Sequence, residues 1–177
     1  MSVPYLISSL PALSMDAPPP LTPEAFKDEC ARILSSDQAA VVAALVDGTP
    51  CSHPFVLAWR DLDTQIRNAI VRRRAARRGV DPLSAQRPAE GCNLRVIQAA
   101  ESAFDQPDPL KRQRAIDKAR WDALDELVGP QPLSFEAVLA YAVRLGIAGR
   151  WAKYDQAAGD EFLKGLARQS VAGALGE

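Results

Sequence analysis

The chain has 177 residues, 47% of them hydrophobic and 24% charged, with 21 Lys+Arg against 22 Asp+Glu and a net charge of −1. This is the composition of a folded domain and excludes a disordered tail. Sixteen Arg against five Lys, with Ala and Leu outweighing Ile and Val, favours helix over sheet, and an all-α fold is expected. The longest uncharged run, residues 1–15, is broken by Pro4 and Pro11 and falls short of the roughly 18 to 20 residues that a membrane span needs. No Lys or Arg precedes Lys27, so the basic start of a secretory signal is missing and a cytoplasmic location is expected. Cys30, Cys51 and Cys92 form no C-x-x-C pair and fit reduced thiols.

Fourteen prolines punctuate the chain and mark the breaks between helices. Residues 5–10 (YLISSL) are too short a run to separate helix from extended chain. Thr22 caps a helix with Pro23 at its first position and Phe26, Cys30, Ile33 and Leu34 at helical spacing. Ser35 and Gln38 have the capping-box spacing for a second helix, which ends near Asp47-Gly48. A longer helix runs from about Val56 to Arg78, about 34 Å at 1.5 Å per residue, with Trp59, Leu62, Ile66, Ala69 and Ile70 on its apolar stripe and Gly79 at its end. A shorter one spans about Asn93 to Phe104, with Leu94, Ile97, Ala100 and Phe104 on one side. Asp108-Pro109 opens a helix that buries Ile116, Trp121, Leu124, Leu127 and Val128 before Gly129-Pro130 stops it. Ser134 caps a helix through Leu145, and Asp155 opens the last, with Phe162, Leu163 and Leu166 inward. The expectation is six or seven helices in a bundle-like single domain over 1–177, with residues 79–90 the one candidate joint between two helical subdomains.

Few residues suggest chemistry. Cys51 and His53 place a nucleophile near a base, but in a loop between Pro50 and Pro54, without the third group and oxyanion site that such a pair needs. One histidine cannot make a multi-histidine metal site, and Gly146, Gly149 and Gly159 lack the spacing of a phosphate loop. No catalytic, cofactor-binding or metal-binding residue is therefore assigned. Asp117, Asp122, Asp125 and Glu126, interleaved with Lys118 and Arg120, read as a solvated helix face held by local ion pairs. The anomaly lies at 67–78, where Arg67, Arg72, Arg73, Arg74, Arg77 and Arg78 bring six positive charges and no acid. Such a run serves a nucleic-acid footprint, a helix end opposing its own dipole, or a docking surface for an acidic partner. The slightly acidic whole and the absence of interleaved aromatic residues disfavour nucleic acid.

Several segments carry a family resemblance: Tyr5-Leu-Ile-Ser-Ser-Leu-Pro-Ala-Leu13 with Pro20-Leu-Thr-Pro-Glu-Ala-Phe26; Trp59-Arg-Asp-Leu62 through Arg67-Asn68 into Arg74-Ala-Ala-Arg77; Trp121-Asp-Ala-Leu-Asp125; and Leu139-Ala-Tyr141-Ala-Val-Arg-Leu145-Gly-Ile147 with Arg150, Asp155 and Gly159. Together they resemble the bacterial family catalogued as domain of unknown function 2764. The family is associated with V/A-type ATPase gene clusters that lack an obvious C (or d) subunit, the all-helical socket between the rotor stalk and the membrane ring. Residues 21–26 (LTPEAF) add a fainter likeness to the socket family itself. The resemblance implies a non-catalytic, C/d-like central-stalk connector of a V/A-type ATP synthase/ATPase, supporting ion transport and peripheral to the inner face of the membrane. It implies other ATPase subunits as partners and neither a cofactor nor a small-molecule substrate. Tyr5, Trp59, Trp121, Tyr141, Leu145, Arg150, Asp155 and Gly159 are then structural, with Arg150 expected to pair with Asp155. Socket subunits are much longer chains of repeated helical bundles, so this chain could supply only part of such a funnel. The alternative is a helical binding module that uses Arg67 to Arg78 on nucleic acid or an acidic protein.

Overall fold

Local capping sets most of the helix starts. In the computed structural model, which describes residues 2–154, there are seven α-helices and no strand among the described residues. Helix α1 spans Val3–Ser9, which settles the ambiguous opening segment as helix around the fully buried Leu6. Helix α2 (Pro23–Ile33) starts where the Thr22 hydroxyl accepts from the Ala25 N–H at 3.1 Å. Helix α3 (Ser36–Asp47) carries the full Ser35/Gln38 capping box and closes at Gly48, whose φ of +72° suits a residue without a Cβ. Helix α4 (Pro54–Arg78) begins two residues earlier than the sequence suggests and ends at Gly79, also left-handed at φ +66°.

Helix α5 (Leu94–Ser102) runs on into a single 3-10 turn, Ala103–Asp105. Its inward face carries Val96, Ala100, Ala103 and Phe104, while Leu94 is 64% exposed, against the expectation that it faces inward. Leu94 stands at the first position of its helix, in a shallow hollow beside Leu57 and Cys92. Helix α6 (Pro109–Val128) opens at the Asp108 carboxylate, which accepts from the Leu110 N–H. Helix α7 (Phe135–Ala152) starts at Ser134, but the Ser134 hydroxyl makes no capping bond and is buried without a partner, so the expected side-chain cap is absent. The helix also continues seven residues past Leu145. Each interior glycine costs roughly 1 kcal/mol against alanine, and burial of Ile147, Ala148 and Trp151 beyond Gly146 offsets it. The helix predicted from Asp155 lies outside the described residues.

Two apolar clusters divide the interior. The first gathers Leu6, Phe26, Cys30, Val42, Val138, Leu139 and Leu145 from α1, α2, α3 and α7, joined by Phe55 and Leu124. The second gathers Leu62, Ile66, Ala69, Val96, Ala100, Phe104, Ile116 and Ala123 from α4, α5 and α6. Trp59 and Leu127 pack against both. Residues 79–90 lead from α4 to α5 and are tied back along α4. Asn68 donates to the Arg87 carbonyl at 2.7 Å and accepts from its N–H at 3.0 Å. Gln65 donates to the Glu90 carbonyl at 2.8 Å, and Asp61 accepts from the Glu90 N–H at 3.1 Å. Both α4 and α5 belong to the second cluster. Among the described residues no helix is long and apolar enough to cross a membrane.

Candidate functional site

The arginines of α4 point around the helix, and the fold treats them unequally. Arg67 donates through Nε to Asp63 at 2.6 Å, one turn back. Arg72 and Arg73 reach Glu101 of α5 and Asp105 of the following turn, each at 3.2 Å. The six charges are thus not segregated from the acids of the chain, because tertiary packing brings Glu101 and Asp105 onto Arg72 and Arg73, while Asp63 of the same helix holds Arg67. Arg77 donates to the Phe104 carbonyl at 2.9 Å and lays its guanidinium 5.4 Å from the Phe104 ring centroid. Arg112 of α6 stands 5.2 Å from the same centroid, adding a cation that the linear sequence does not associate with the run. Among the described residues Arg74 and Arg78 have no acidic partner, and both are exposed. Val80 and Leu83, 57% and 73% exposed, follow directly after the helix end. The exposed cationic face is therefore Arg74, Arg77 and Arg78, while the half-buried Arg112 shares the Phe104 ring with Arg77 and donates to the Gln106 carbonyl.

His53 is the N-cap of α4. Its Nδ1 accepts from the Phe55 N–H at 3.3 Å, and its ring packs edge-on against Phe135 at 5.5 Å. Cys51 is half-buried beside it, whereas Cys30 lies in the first core, where burial pushes its thiol up to about 12. Among the family-motif residues, Tyr5 is 54% exposed, while Tyr141 packs on Phe26 and donates its hydroxyl to the Pro11 carbonyl at 3.0 Å. Trp121 carries the Arg144 guanidinium over its ring at 5.3 Å, and Leu145 is buried. Asp155 and Gly159 lie outside the described residues. Arg150, expected to meet Asp155, donates to Asp117 at 3.0 Å.

The acidic face of α6 needs correction at one position. Asp122 pairs with Lys118, Asp125 with Arg144 and Glu126 with Arg95, all partly exposed as a solvated face requires. Asp117, by contrast, is 1% exposed. Its Oδ1 accepts from Arg120 at 2.8 Å and from Arg150 at 3.0 Å, and its Oδ2 accepts from the Trp151 indole N–H at 3.1 Å. Arg120, also buried, donates its Nε to Asp63 at 2.8 Å, and Asp63 in turn holds Arg67. The chain Arg67, Asp63, Arg120, Asp117, Arg150 thus ties α4, α6 and α7 together between the two apolar clusters. A buried carboxylate without partners would cost several kcal/mol, and complete pairing of both oxygens is what permits Asp117 there. Its signal was present in the sequence: Asp117 and Arg120 fall on the same helical stripe as Ile116, Ala123 and Leu124, where a charge must be either a break or a buried pair.

Residues 88–173 match the family model described as Protein of unknown function (DUF2764). The chain belongs to the DUF2764 family over that segment. No curated protein and no solved structure matches the chain. In this DUF2764 chain the matched segment includes α5, α6 and α7, and with them Asp117, Arg120, Arg150 and Trp151. Helix α4 and its arginines precede it.

Proposed function

We propose that the chain is a non-catalytic subunit of a V/A-type ATP synthase/ATPase, a C/d-like connector between the central stalk and the membrane ring. The observation that supports this reading is the DUF2764 match over residues 88–173; the step from that family to V/A-type ATPase gene clusters is what the sequence resemblance implies. An all-helical chain with a cationic helix end is compatible with a mechanical part, and the exposed Arg74, Arg77 and Arg78 supply a contact for an acidic neighbour. In this reading His53 is a helix cap, not a base, and the chain relies on the catalytic subunits of the complex for nucleotide chemistry.

The test is co-purification with the stalk and ring subunits. Wild type assembles. Arg74→Glu with Arg78→Glu assembles about tenfold more weakly, with an unchanged circular-dichroism spectrum because neither arginine packs in the core. Added salt weakens assembly as well, since exposed charges are screened beyond about 8 Å at physiological ionic strength. Normal assembly of the reversed protein, or tight salt-steep binding of nucleic acid by the wild type, would overturn the docking role.

A further inference from the structure

The connection between α4 and α5 runs back along α4, and its two ends differ in charge. Hydrogen bonds to successively earlier turns of the helix fix its course: the Val80 N–H donates to the Ala75 carbonyl at 3.1 Å, Asn68 brackets Arg87, and Gln65 accepts from the Asn93 N–H at 2.8 Å. At its start stand Arg74 and Arg78 of α4, with Val80 and Leu83 exposed beyond them. At its finish, beside the first turns of α4, lies a shallow hollow of about 760 Å³ whose wall includes Leu57, Asp61, Glu90 and Leu94. We propose that this face pairs with the same face of a second copy of the chain in a two-fold dimer with antiparallel α4 helices, the cationic end of each copy covering the acidic hollow of the other. The inference rests on the docking role given above to Arg74 and Arg78 and names a second copy as their acidic neighbour.

Charges already paired within the chain drop out of the count: Arg67 with Asp63, Arg72 with Glu101, Arg73 with Asp105 and Arg95 with Glu126. At the cationic end Arg74, Arg77 and Arg78 then stand against Asp81 and leave a surplus of positive charge. At the hollow no cation lines the wall, and Asp61 and Glu90 leave a surplus of negative charge. Asp61 spends one oxygen on the Glu90 N–H at 3.1 Å, and the exposed Glu90 carboxylate has no partner among the described residues. Arg87, exposed in the middle of the connection, is the charge nearest its own copy across the two-fold axis, and its repulsion keeps the dimer weak.

The apolar side chains follow the same division. Leu57 and Leu94, 46% and 64% exposed, flank the hollow, and Val80 and Leu83 follow the cationic helix end. Asp61 and Arg78 are separated by about 25 Å along α4 at 1.5 Å per residue. Because both copies have the same spacing, one antiparallel pairing brings both ends into register and uses each contact twice, as a closed two-fold interface requires. A pairing of like ends would instead set arginine against arginine.

The test is sedimentation velocity of the full-length protein under reducing conditions across a concentration series. The wild type is expected to pass from one chain to two with a dissociation constant of about 10 to 100 μM, the weak class of interface, and to dissociate as salt is added. Glu90→Arg alone, and Arg74→Glu with Arg78→Glu alone, each weaken pairing at least about tenfold. An equimolar mixture of the two variants recovers pairing to within about threefold of the wild type, since every contact in the mixed pair again joins opposite charges. Leu94→Ser alters no charge and weakens pairing at least about tenfold, so it and the wild-type mass decide the matter if a charge variant does not fold. A wild type that stays monomeric, growth beyond two chains, undiminished pairing in Leu94→Ser, or a mixture of folded charge variants that does not pair would each overturn the dimer. If the chain is monomeric while the arginine reversal still abolishes co-purification with the ATPase subunits, the second copy is excluded and the docking role above stands.

Discussion

Asp117 and Asp122 sit five residues apart on α6 and face opposite fates. Asp122 makes a single-turn pair with Lys118 at the surface, where water screens the charge and the long lysine side chain loses freedom on pairing. Asp117 has no water to fall back on and takes three protein donors instead. Asp117→Ala leaves Arg120 buried with half of its pairing and is expected to cost about 3 kcal/mol in urea unfolding. Asp122→Ala should stay within about 1 kcal/mol. Equal costs would contradict the assignment of Asp117 as the polar centre of the fold. Cysteine accessibility gives a second test. Cys92 is exposed and should react first with a thiol reagent at neutral pH, whereas Cys30, at 1% exposure and with its thiol held neutral, should react only on unfolding.

At the scale of helices, capping and burial compete, and the ends show which prevails. The starts of α2 and α3 are held by side-chain caps, so Thr22→Ala and Ser35→Ala should each lose about 1 kcal/mol. Ser134 occupies the same position before α7 without a capping bond, and its buried hydroxyl has no partner. Ser134→Ala should therefore be neutral or stabilising, as thermal or urea melts would show. Helix α7 makes the converse point at its other end. Gly146 and Gly149 read as punctuation, yet the stripe of Ile147, Ala148 and Trp151 continues through them and binds the helix into the core. That continuation places Arg150 and Trp151 on Asp117.

The whole molecule joins two apolar clusters through an ionic chain and a few shared side chains, with Trp59 and Leu127 packing against both. The first cluster also sets an alkaline limit on stability. Burial raises the Cys30 thiol from its ordinary 9.0 to about 12 and the Tyr141 hydroxyl from 10.0 to about 12. The folded chain then keeps protons that the unfolded chain releases, so this stability is fully present below pH 9.0 and is lost as pH rises towards about 12. Urea midpoints should fall between about pH 9 and about pH 11, and Tyr141→Phe combined with Cys30→Ala should flatten that fall. A midpoint that falls equally steeply in the double variant would place the titrating groups elsewhere.

The helical class, the caps at Thr22, Ser35 and Asp108, and the ends at Gly48, Gly79 and Gly129 were legible in the sequence because each depends on residues within a turn or two of one another. The arginine run was legible as composition for the same reason. Which of its arginines stay exposed was decided by packing, because Glu101, Asp105 and Phe104 come from helices far along the chain and meet α4 only across the second core. The reading of Asp117 as surface charge failed on the same ground: helical spacing put it on the buried stripe, but only the arrival of Arg150 and Trp151 from α7 supplies the donors that make a buried carboxylate tolerable. Local sequence determined where the helices start and stop, and the tertiary structure decided which charges were consumed and which were left over, since desolvation and pairing depend on neighbours that sequence distance does not reveal.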